Sequence, residues 1–231
     1  MKIRFYAHAS FLLEGDGVRV VTDPYRPGKR GAFFDPIHEP ADLVVRSSAS
    51  DAFHSDPSHV HGSPAVIDAL RIPKEGQRFR DLELKGYPAW ERIRWLPLLV
   101  GRLPRRYAMY TLTFPGENLR LLHGGDMGGP FAPEVVAELA GTIDVLFAIT
   151  GGIHTIELDD LDEVIRQIRP RIVIPMHYHS PRGRLKTILP VTAFTGRYPA
   201  DSVVRVGGPD VEITRESLPE TMKIYVLEQC R

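Results

Sequence analysis

The sequence contains almost no cysteine, no long hydrophobic run and no excess of charge of either sign. Its one cysteine, Cys230, cannot form a disulfide within the chain, which is typical of proteins in a reducing compartment. No segment approaches the roughly 20 consecutive apolar residues of a membrane helix, and the first residues lack the apolar core of a signal peptide. Basic and acidic side chains number 29 each, so we expect no general attraction to nucleic acid or to membranes. We therefore expect a cytoplasmic protein without a membrane span.

The chain is long enough, and apolar enough, to bury a sizeable core. It has 231 residues, 43% of them hydrophobic, and no linker or low-complexity segment. We predict one domain over residues 1–231. Alternating apolar residues predict strands at KIRFYA, SFLLE, VRVVT and FRDLELKG, and a hairpin of YAMYTLTF and LRLLH around Pro115 and Gly116. VVRV and VEI are predicted as short closing strands.

Three helices are predicted between these strands. Ser63 and Pro64 are typical of a helix start, Pro133 begins a second helix, and Asp159 is the predicted cap of a third. Pro170 ends the third helix, whose apolar residues recur at helical spacing. This helix lies between two continuous apolar runs, IDVLFAIT and RIVIPM, that are suited to strands buried on both faces. The order of elements favours an α/β protein with two sheets and helices outside them.

Polar and glycine residues collect at the ends of three apolar strands. These are His123-Gly124-Gly125-Asp126 after LRLL, Gly151-Gly152-Ile153-His154 after VLFAIT, and His177-Tyr178-His179 after IVIPM. Strand ends of this kind form sites in layered α/β proteins, so four histidines and one aspartate share one predicted rim. Imidazole and carboxylate are the usual zinc ligands, and the glycines allow close approach of an ion or a substrate. The sequence therefore predicts a metal site.

A fourth strand ends differently. ADLVV leads into RSSASDAFH, where a predicted buried strand is followed mainly by serine and alanine, whose small side chains are poor metal ligands. Serine and aspartate bond to their own backbone and end strands, so local physical chemistry predicts only a turn here.

The blocks LLHGGDMG, AITGGIHTIELDDLDEVIRQIRP and RIVIPMHYHS resemble, in order and spacing, three blocks of the metallo-β-lactamase superfamily. The nearest branch is that of the L-ascorbate-6-phosphate lactonase-like metal-dependent hydrolases. The opening YAHASFLLE is similar to the Gly-His-Ser-Ser-Phe start of that branch, and VVTDPY is similar to its strand ending in Asp-Pro. The resemblance implies a four-layer αββα sandwich with a metal site at the edge between the two sheets.

The resemblance also implies roles for individual residues. His123, Asp126 and His177 match metal ligands, with Asp126 at the place of the carboxylate that bridges two metals. Asp23 matches an aspartate behind the ligands, and His8 matches a histidine that lines the site. Further candidates for contact with the ligands or the substrate are Gly151, Gly152 and His179.

The defining H-x-H-x-D-H motif of the superfamily is degenerate in this chain. It should lie where RSSASDAFH follows the ADLVV strand. One alignment places Ser48, Ser50, Ala52 and Phe53 on the motif, and the alignment shifted by one places Ser47, Ala49, Asp51 and Ala52 there. Both lose all three histidines, and serine hydroxyls are poor zinc ligands. We therefore expect, instead of a standard two-metal centre, one divalent ion, Zn with Mn and Fe as alternatives, or none.

Nearby histidines offer replacements for the lost groups. His54 follows the degenerate motif, and His154 stands where the branch has a tyrosine, so either could move protons or supply a ligand. Asp51 is the third candidate for a catalytic role. His59 and His61 are interpreted as exposed loop residues.

Residues 87–107 form an insert rich in tryptophan and arginine. Its centre, WLPLLV, lies between arginines and could cover a pocket, face a second copy in a homo-oligomer, or touch an amphiphilic or anionic substrate. The plain alternative is a helix or loop that packs on the body while its arginines stay solvated.

Three functions stay open from the sequence. The first is a hydrolase that uses a metal-bound water against a small ester, lactone, amide or phosphoester. The second is a lyase, cyclase or isomerase that works without metal, by acid-base chemistry of histidine and aspartate in the same pocket. The third is a binding protein on a degenerate enzyme scaffold. The first is favoured because His123, Asp126 and His177 lie together at neighbouring strand ends.

Overall fold

The computed structural model describes residues 1–30, 32–49, 53–89, 107–153 and 155–231. The strands in these ranges are β1 (Lys2–Ala7), β2 (Ser10–Gly15), β3 (Val18–Thr22), β4 (Leu43–Arg46), β5 (Ala65–Asp68), β6 (Gln77–Phe79), β7 (Leu82–Ala89), β8 (Tyr107–Phe114), β9 (Leu119–His123), β10 (Val145–Ile149), β11 (Ile172–Met176), β12 (Val203–Arg205), β13 (Asp210–Glu212) and β14 (Lys223–Val226). The α-helices are α1 (Pro133–Leu139), α2 (Leu158–Ile168) and α3 (Val191–Thr195), and short 3₁₀ turns lie at Gly28–Arg30, Pro57–His59, Ala69–Arg71 and Ala200–Ser202.

The first sheet has six strands in the order β13-β1-β2-β3-β4-β5. The strands predicted at KIRFYA, SFLLE and VRVVT are confirmed as β1, β2 and β3, which pair antiparallel through tight turns. β4 and β5 then continue the sheet in parallel, so their C-terminal ends lie at the same edge as the end of β3. Because side chains alternate along a strand, Phe5 and Phe11 face the larger core while Tyr6 and Leu12 face a smaller one.

The second sheet has eight strands in the order β12-β14-β11-β10-β9-β8-β7-β6. The predicted hairpin is confirmed as β8 and β9, and β9, β10, β11 and β14 are parallel. β10 and β11 are buried along their whole length, as their continuous apolar runs predict. The connections through α1 and α2 advance in the same direction along the sheet, so right-handed crossovers place both helices on one face.

The larger core lies between the two sheets and extends under α2. It contains inward residues of β1 and β2, the apolar strands β9 to β11, and the buried face of α2 formed by Leu161, Val164 and Ile168. The smaller core lies on the other face of the first sheet, where Tyr25, Phe34 and Ile37 cover Val44. The two-sheet α/β sandwich that the resemblance implies is confirmed.

Two predicted helix starts are wrong. The helix predicted at Ser63 and Pro64 is β5, because the β-branched Val66 and Ile67 suit a strand and pair with β4. The cap of α2 is Glu157, and Asp159 lies in the first turn of the helix. A carboxylate there is stabilised by the positive end of the helix dipole.

Within the described ranges, no helix combines the length and the apolar surface needed to cross a membrane.

Candidate metal site

Three buried histidines converge at the edge between the two sheets. His8 follows β1, His54 lies in the turn after β4, and His177 follows β11. One ring nitrogen of each lies within 4.8 Å of those of the other two. The ring centroids of His8 and His177 are 4.1 Å apart, and the ring of His54 stacks on that of His177 at 5.7 Å with an interplanar angle of 7°. Residues far apart in sequence thus form one cluster, which we call the histidine cluster (His8, His54 and His177).

The backbone at the cluster is held in a sparsely populated conformation. His8, Asp23 and His177 have φ angles of 57°, 38° and 52°, in the left-handed region that favours glycine. Each such residue costs on the order of 1 kcal/mol or more and persists only where the surrounding structure enforces it. The amide of His177 donates to the carbonyl of His8 at 2.7 Å, which joins the two strained strand ends. Backbone strain at buried residues that face one another is a common feature of functional sites.

Asp126 adds a carboxylate to the cluster. Its Oδ1 lies 3.5 Å from Nε2 of His177, and its Oδ2 lies 3.8 Å from Nε2 of His54. Asp126 reaches this place through the Gly124-Gly125 turn after β9. Gly125 has a φ of 57°, and a Cβ there would lie 2.6 Å from the carbonyl oxygen of Ala108. Glycine at position 125 is therefore required by the backbone conformation and by the nearby Ala108 carbonyl, whereas the sequence-based prediction is that it allows an ion or a substrate to approach.

Asp23 stands behind the cluster. It is completely buried, and its Oδ1 accepts a hydrogen bond from the amide of Ser47 at 2.5 Å. Its Oδ2 lies 3.5 Å from Nδ1 of His54 and 3.5 Å from Nδ1 of His123. Ser47, at the start of the degenerate motif, thus contributes its backbone to the site. Asp23 provides a negative charge on the far side of the His54 ring from Asp126.

His123 lies outside the histidine cluster in this structure. Its Nε2 lies 2.9 Å from the carbonyl of Ala9, and its Nδ1 accepts from the amide of Gly125 at 3.1 Å. The proton is therefore assigned to Nε2, which donates to Ala9. The ring also stacks on Tyr110 at 4.8 Å. Burial lowers the pKa of His123, and with both nitrogens bonded to backbone the neutral ring is well satisfied. Both ring nitrogens of His123 are thus engaged by backbone groups, and its ligand role stays a prediction.

Three observations indicate that the histidine cluster can hold a divalent metal ion. Nε2 of His8 is buried without a hydrogen-bond partner among the residues that the structure describes, which is costly unless another group satisfies it. Burial, followed by the neighbouring His177 and His54, holds the pKa of His8 well below its usual value, so its ring is neutral and can bind a metal. Two donors of one tetrahedral zinc ion lie about 3.3 Å apart, close to the separations of Asp126 from His177 and His54.

The remaining predicted residues take different places. Gly151 follows β10 and its missing Cβ leaves room for the carbonyl oxygen of His177, while the amide of His179 donates to Leu189 at 2.8 Å. Gly152 adopts a φ of 58°. Asp51, His154 and residues 90–106 of the predicted insert lie outside the described residues. His61 is exposed as expected, but His59 is half-buried and bonds through both ring nitrogens to the backbone of Ile37 and Tyr25.

Comparison with known proteins agrees with the fold. The sequence profile of the β-lactamase superfamily domain matches residues 2–177, which include the whole histidine cluster. The chain belongs to the metallo-β-lactamase superfamily. Among its superfamily relatives, a UPF0173 metal-dependent hydrolase of Carboxydothermus hydrogenoformans is 25% identical over 201 residues, covering 78% of this chain and 85% of the relative. The UPF0173 protein of Pyrococcus furiosus is 29% identical over 77% of this chain and 83% of its own length.

A solved structure from Thermotoga maritima is similar over almost the whole chain. It is described as a proposed Zn-dependent hydrolase of the metallo-β-lactamase superfamily, and it is 29% identical to this chain. The superposition covers 99% of this chain and 98% of the other, with a TM-score of 0.74.

Proposed function

We propose that this protein is a metal-dependent hydrolase with a single divalent ion held by His8, His54, His177 and Asp126. The observation that carries the proposal is the convergence of three buried imidazoles within 4.8 Å of one another, beside a carboxylate. Similarity supports it, because the relative from C. hydrogenoformans is named a metal-dependent hydrolase and the structure from T. maritima a proposed Zn-dependent hydrolase. Zn is the ion we favour, with Mn and Fe as alternatives.

The proposed ligand set replaces the one lost with the H-x-H-x-D-H motif. His54 lies just after the motif position and brings one imidazole back to the site, and His8 brings another from the opening strand. His177 and Asp126 keep the ligand roles that the resemblance implies. The result is a mononuclear site in which two ligands are those of the standard centre and two, His8 and His54, are different residues.

A bound divalent ion would supply a water of lowered pKa and would polarise the bond to be cleaved. The side chains of this protein hold and orient the site. Asp23 lies 3.5 Å from Nδ1 of His54, which fixes the ring with its Nε2 toward the cluster. Asp126, 3.5 Å from Nε2 of His177 and 3.8 Å from Nε2 of His54, would place a negative charge next to a bound ion. The proton-moving roles of Asp51 and His154 stay predictions, and the bond cleaved is that of a small ester, lactone, amide or phosphoester.

Metal content tests the proposal directly. Protein purified without chelator and then loaded with Zn, Mn or Fe is expected to hold about one equivalent by elemental analysis. The His8→Ala and His54→Ala variants should each lower the affinity for the ion by at least tenfold. Each removes one of the four proposed protein ligands, and a water in its place binds the ion more weakly than imidazole does. His61→Ala is the matched control, because the His61 side chain is exposed and its ring contacts the ring of His38, with the centroids 5.2 Å apart.

The variant His123→Ala separates the two ligand sets. If the histidine cluster holds the ion, His123→Ala keeps about one equivalent at low temperature although its fold is weakened. Loss of the ion in His123→Ala with retention in His54→Ala would contradict the proposed set. Less than a few tenths of an equivalent in the wild type, or full activity in the presence of chelator, would favour the metal-independent acid-base enzyme instead.

A further inference from the structure

The histidine at the end of β9 bonds to the backbone beside two of the proposed metal ligands. Nε2 of His123 donates to the carbonyl of Ala9, the residue that follows His8, at 2.9 Å. Its Nδ1 accepts from the amide of Gly125, the residue that precedes Asp126, at 3.1 Å. We propose that His123 is a positioning residue of the metal site, whose ring joins the turn carrying His8 to the turn carrying Asp126. The proposal rests on the function and the ligand set proposed above, and it adds a residue that acts through two of those ligands.

The two turns belong to different sheets and are far apart in the chain. Ala9 lies between β1 and β2 of the first sheet, and Gly125 follows β9 of the second sheet. The hydrogen bond from His123 to Ala9 spans 114 residues of sequence. His8 and Gly125 both have a φ of 57°, so each turn includes a left-handed residue at or beside a proposed ligand. Because the donor atoms of a metal site have to be held to within about 0.5 Å, a connection between the two turns bears directly on ion binding.

The ring of His123 is itself held by the second sheet. It is completely buried, and in the strand register it lies beside Tyr110 of β8 and Phe147 of β10. It stacks on the ring of Tyr110 at 4.8 Å with an interplanar angle of 10°, and its centroid is 5.7 Å from that of Phe147. Close packing on this scale leaves a ring little freedom to turn. The bond to Ala9 is therefore a rigid connection between the sheets, at the edge where the histidine cluster lies.

Neutral imidazole suits this place because one rigid ring carries both a donor and an acceptor. The donor faces a carbonyl and the acceptor faces an amide, so two backbone groups are satisfied away from water. The hydroxyl of Thr22 also donates to Ala9, but its distance of 3.4 Å is long for such a bond. Removing the imidazole would leave the Gly125 amide without this acceptor and the Ala9 carbonyl with the long bond. Unsatisfied buried groups are costly, so we expect both turns to shift.

The affinity for Zn, measured on the full chain by competition with a chromophoric chelator, tests the proposal. His123→Leu fills much of the same space without either hydrogen bond. We expect it to lower the affinity at least tenfold, as is typical when a partner behind metal ligands is lost. His123→Asn carries an amide oxygen near the place of Nδ1, and His123→Gln carries an amide nitrogen near the place of Nε2. Each restores one of the two bonds, so each is expected to regain part of the affinity.

Phe147→Leu is the matched control. It changes a buried neighbour of the His123 ring and leaves both hydrogen bonds in place. It should weaken the fold without lowering the affinity for Zn. All variants are compared at a temperature at which circular dichroism shows them to be folded.

The ring nitrogens of the histidines give a second measurement that does not depend on activity. In NMR spectra of isotope-labelled protein, we expect His123 to keep its proton on Nε2 in both the metal-free and the Zn-loaded chain. The ring nitrogens of His8, His54 and His177 should shift when Zn is added. A shift of the same size at His123 would make it a ligand and would overturn the positioning role.

The outcomes separate this role from the proposed function. A wild type that does not bind Zn through the histidine cluster would overturn both. Unchanged affinity in His123→Leu, with normal binding in the wild type, would overturn the positioning role alone. So would folded His123→Asn and His123→Gln variants that bind no better than His123→Leu, since ring volume would then matter and not the hydrogen bonds. Should His123→Leu not fold, weaker binding in both amide variants than in the wild type supports the role, and equal binding overturns it.

Discussion

At the scale of single residues, Asp23 combines complete burial with a left-handed backbone and three polar neighbours. Its φ of 38° is unfavourable for most residues but tolerated by aspartate and asparagine, whose side chains bond locally. Its carboxylate holds the amide of Ser47 and faces the Nδ1 atoms of His54 and His123. Asp23 therefore links the end of β3 to the degenerate motif and to both kinds of histidine, the proposed ligand and the backbone-bonded one.

Two substitutions at Asp23 separate its backbone role from its charge. Asp23→Ala leaves the Ser47 amide without its acceptor and puts a poor residue in the left-handed region, so we expect a loss of about 2–4 kcal/mol in the free energy of unfolding. Asp23→Asn keeps both an acceptor and a tolerated conformation, and we expect a loss of about 1 kcal/mol. Urea unfolding of the metal-free protein measures both. Equal losses for the two variants would show that the Ser47 hydrogen bond and the backbone conformation contribute little.

At the scale of elements, α2 shows which parts of a helix the local sequence predicts. Its apolar stripe, with Leu161, Val164, Ile165 and Ile168 on the buried face, is confirmed, and Pro170 follows its end as predicted. The closing residue is Arg169, with φ 53° and ψ 55°, where glycine is usual. The amide of Arg169 bonds to Ile165 at 2.9 Å and its side chain is exposed. The helix thus ends with the usual backbone hydrogen bond, but with arginine in the left-handed conformation that glycine adopts at lower cost.

Glycine at this cap should stabilise the protein. Arg169→Gly relieves the left-handed strain and loses no buried contact, so we expect a gain of about 0.5–1 kcal/mol in the free energy of unfolding. Arg166→Gly, three residues earlier on the exposed side of the same helix, is the matched control and should cost about 1 kcal/mol. Thermal and urea unfolding of the two variants measure the difference. A loss in both would mean that the Arg169 side chain makes a stabilising contribution of its own.

At the scale of the whole molecule, late segments of the chain complete the first sheet. β13 pairs with β1, where Arg4 lies opposite Asp210 and donates two hydrogen bonds to its carboxylate, at 2.7 and 2.9 Å. Arg4 also lies 3.7 Å from Glu39, which Arg231 bonds as well. Opposite charges from the beginning and the end of the chain therefore meet beside the edge of one sheet.

The Arg4 and Asp210 pair predicts a pH-dependent contribution to stability. The hydrogen bonds from Arg4 lower the pKa of Asp210, so this contribution is present above the ordinary carboxyl pKa of about 4 and is lost as the pH falls further. The pair is partly exposed, so we expect Arg4→Met to lower the free energy of unfolding by only about 1 kcal/mol near neutral pH. The difference from wild type should shrink below about pH 4.

Arg71→Met is the control for this pH series. Arg71 pairs with Asp68 at 3.7 Å but its side chain is 85% exposed, so its removal should change stability little at any pH. A constant difference between wild type and Arg4→Met across the whole pH range would contradict the electrostatic origin of the effect and would indicate lost packing instead.

The sequence by itself determined most strands of the two sheets, including the buried parallel strands, and it predicted that the site lies where these strands end. Period-two alternation, continuous apolar runs and polar residues at strand ends depend on local burial, which each segment carries in its own composition. The sequence alone did not predict β5, because the apolar spacing of Val66 and Ile67 is compatible with a helix or a strand. Pairing with β4 decides for the strand. Only the tertiary structure decided which histidines meet. His8, His54 and His177 are brought together by strand order and by left-handed turns, while His123 is turned to the carbonyl of Ala9. Such contacts arise from packing between distant segments, and no local periodicity specifies them.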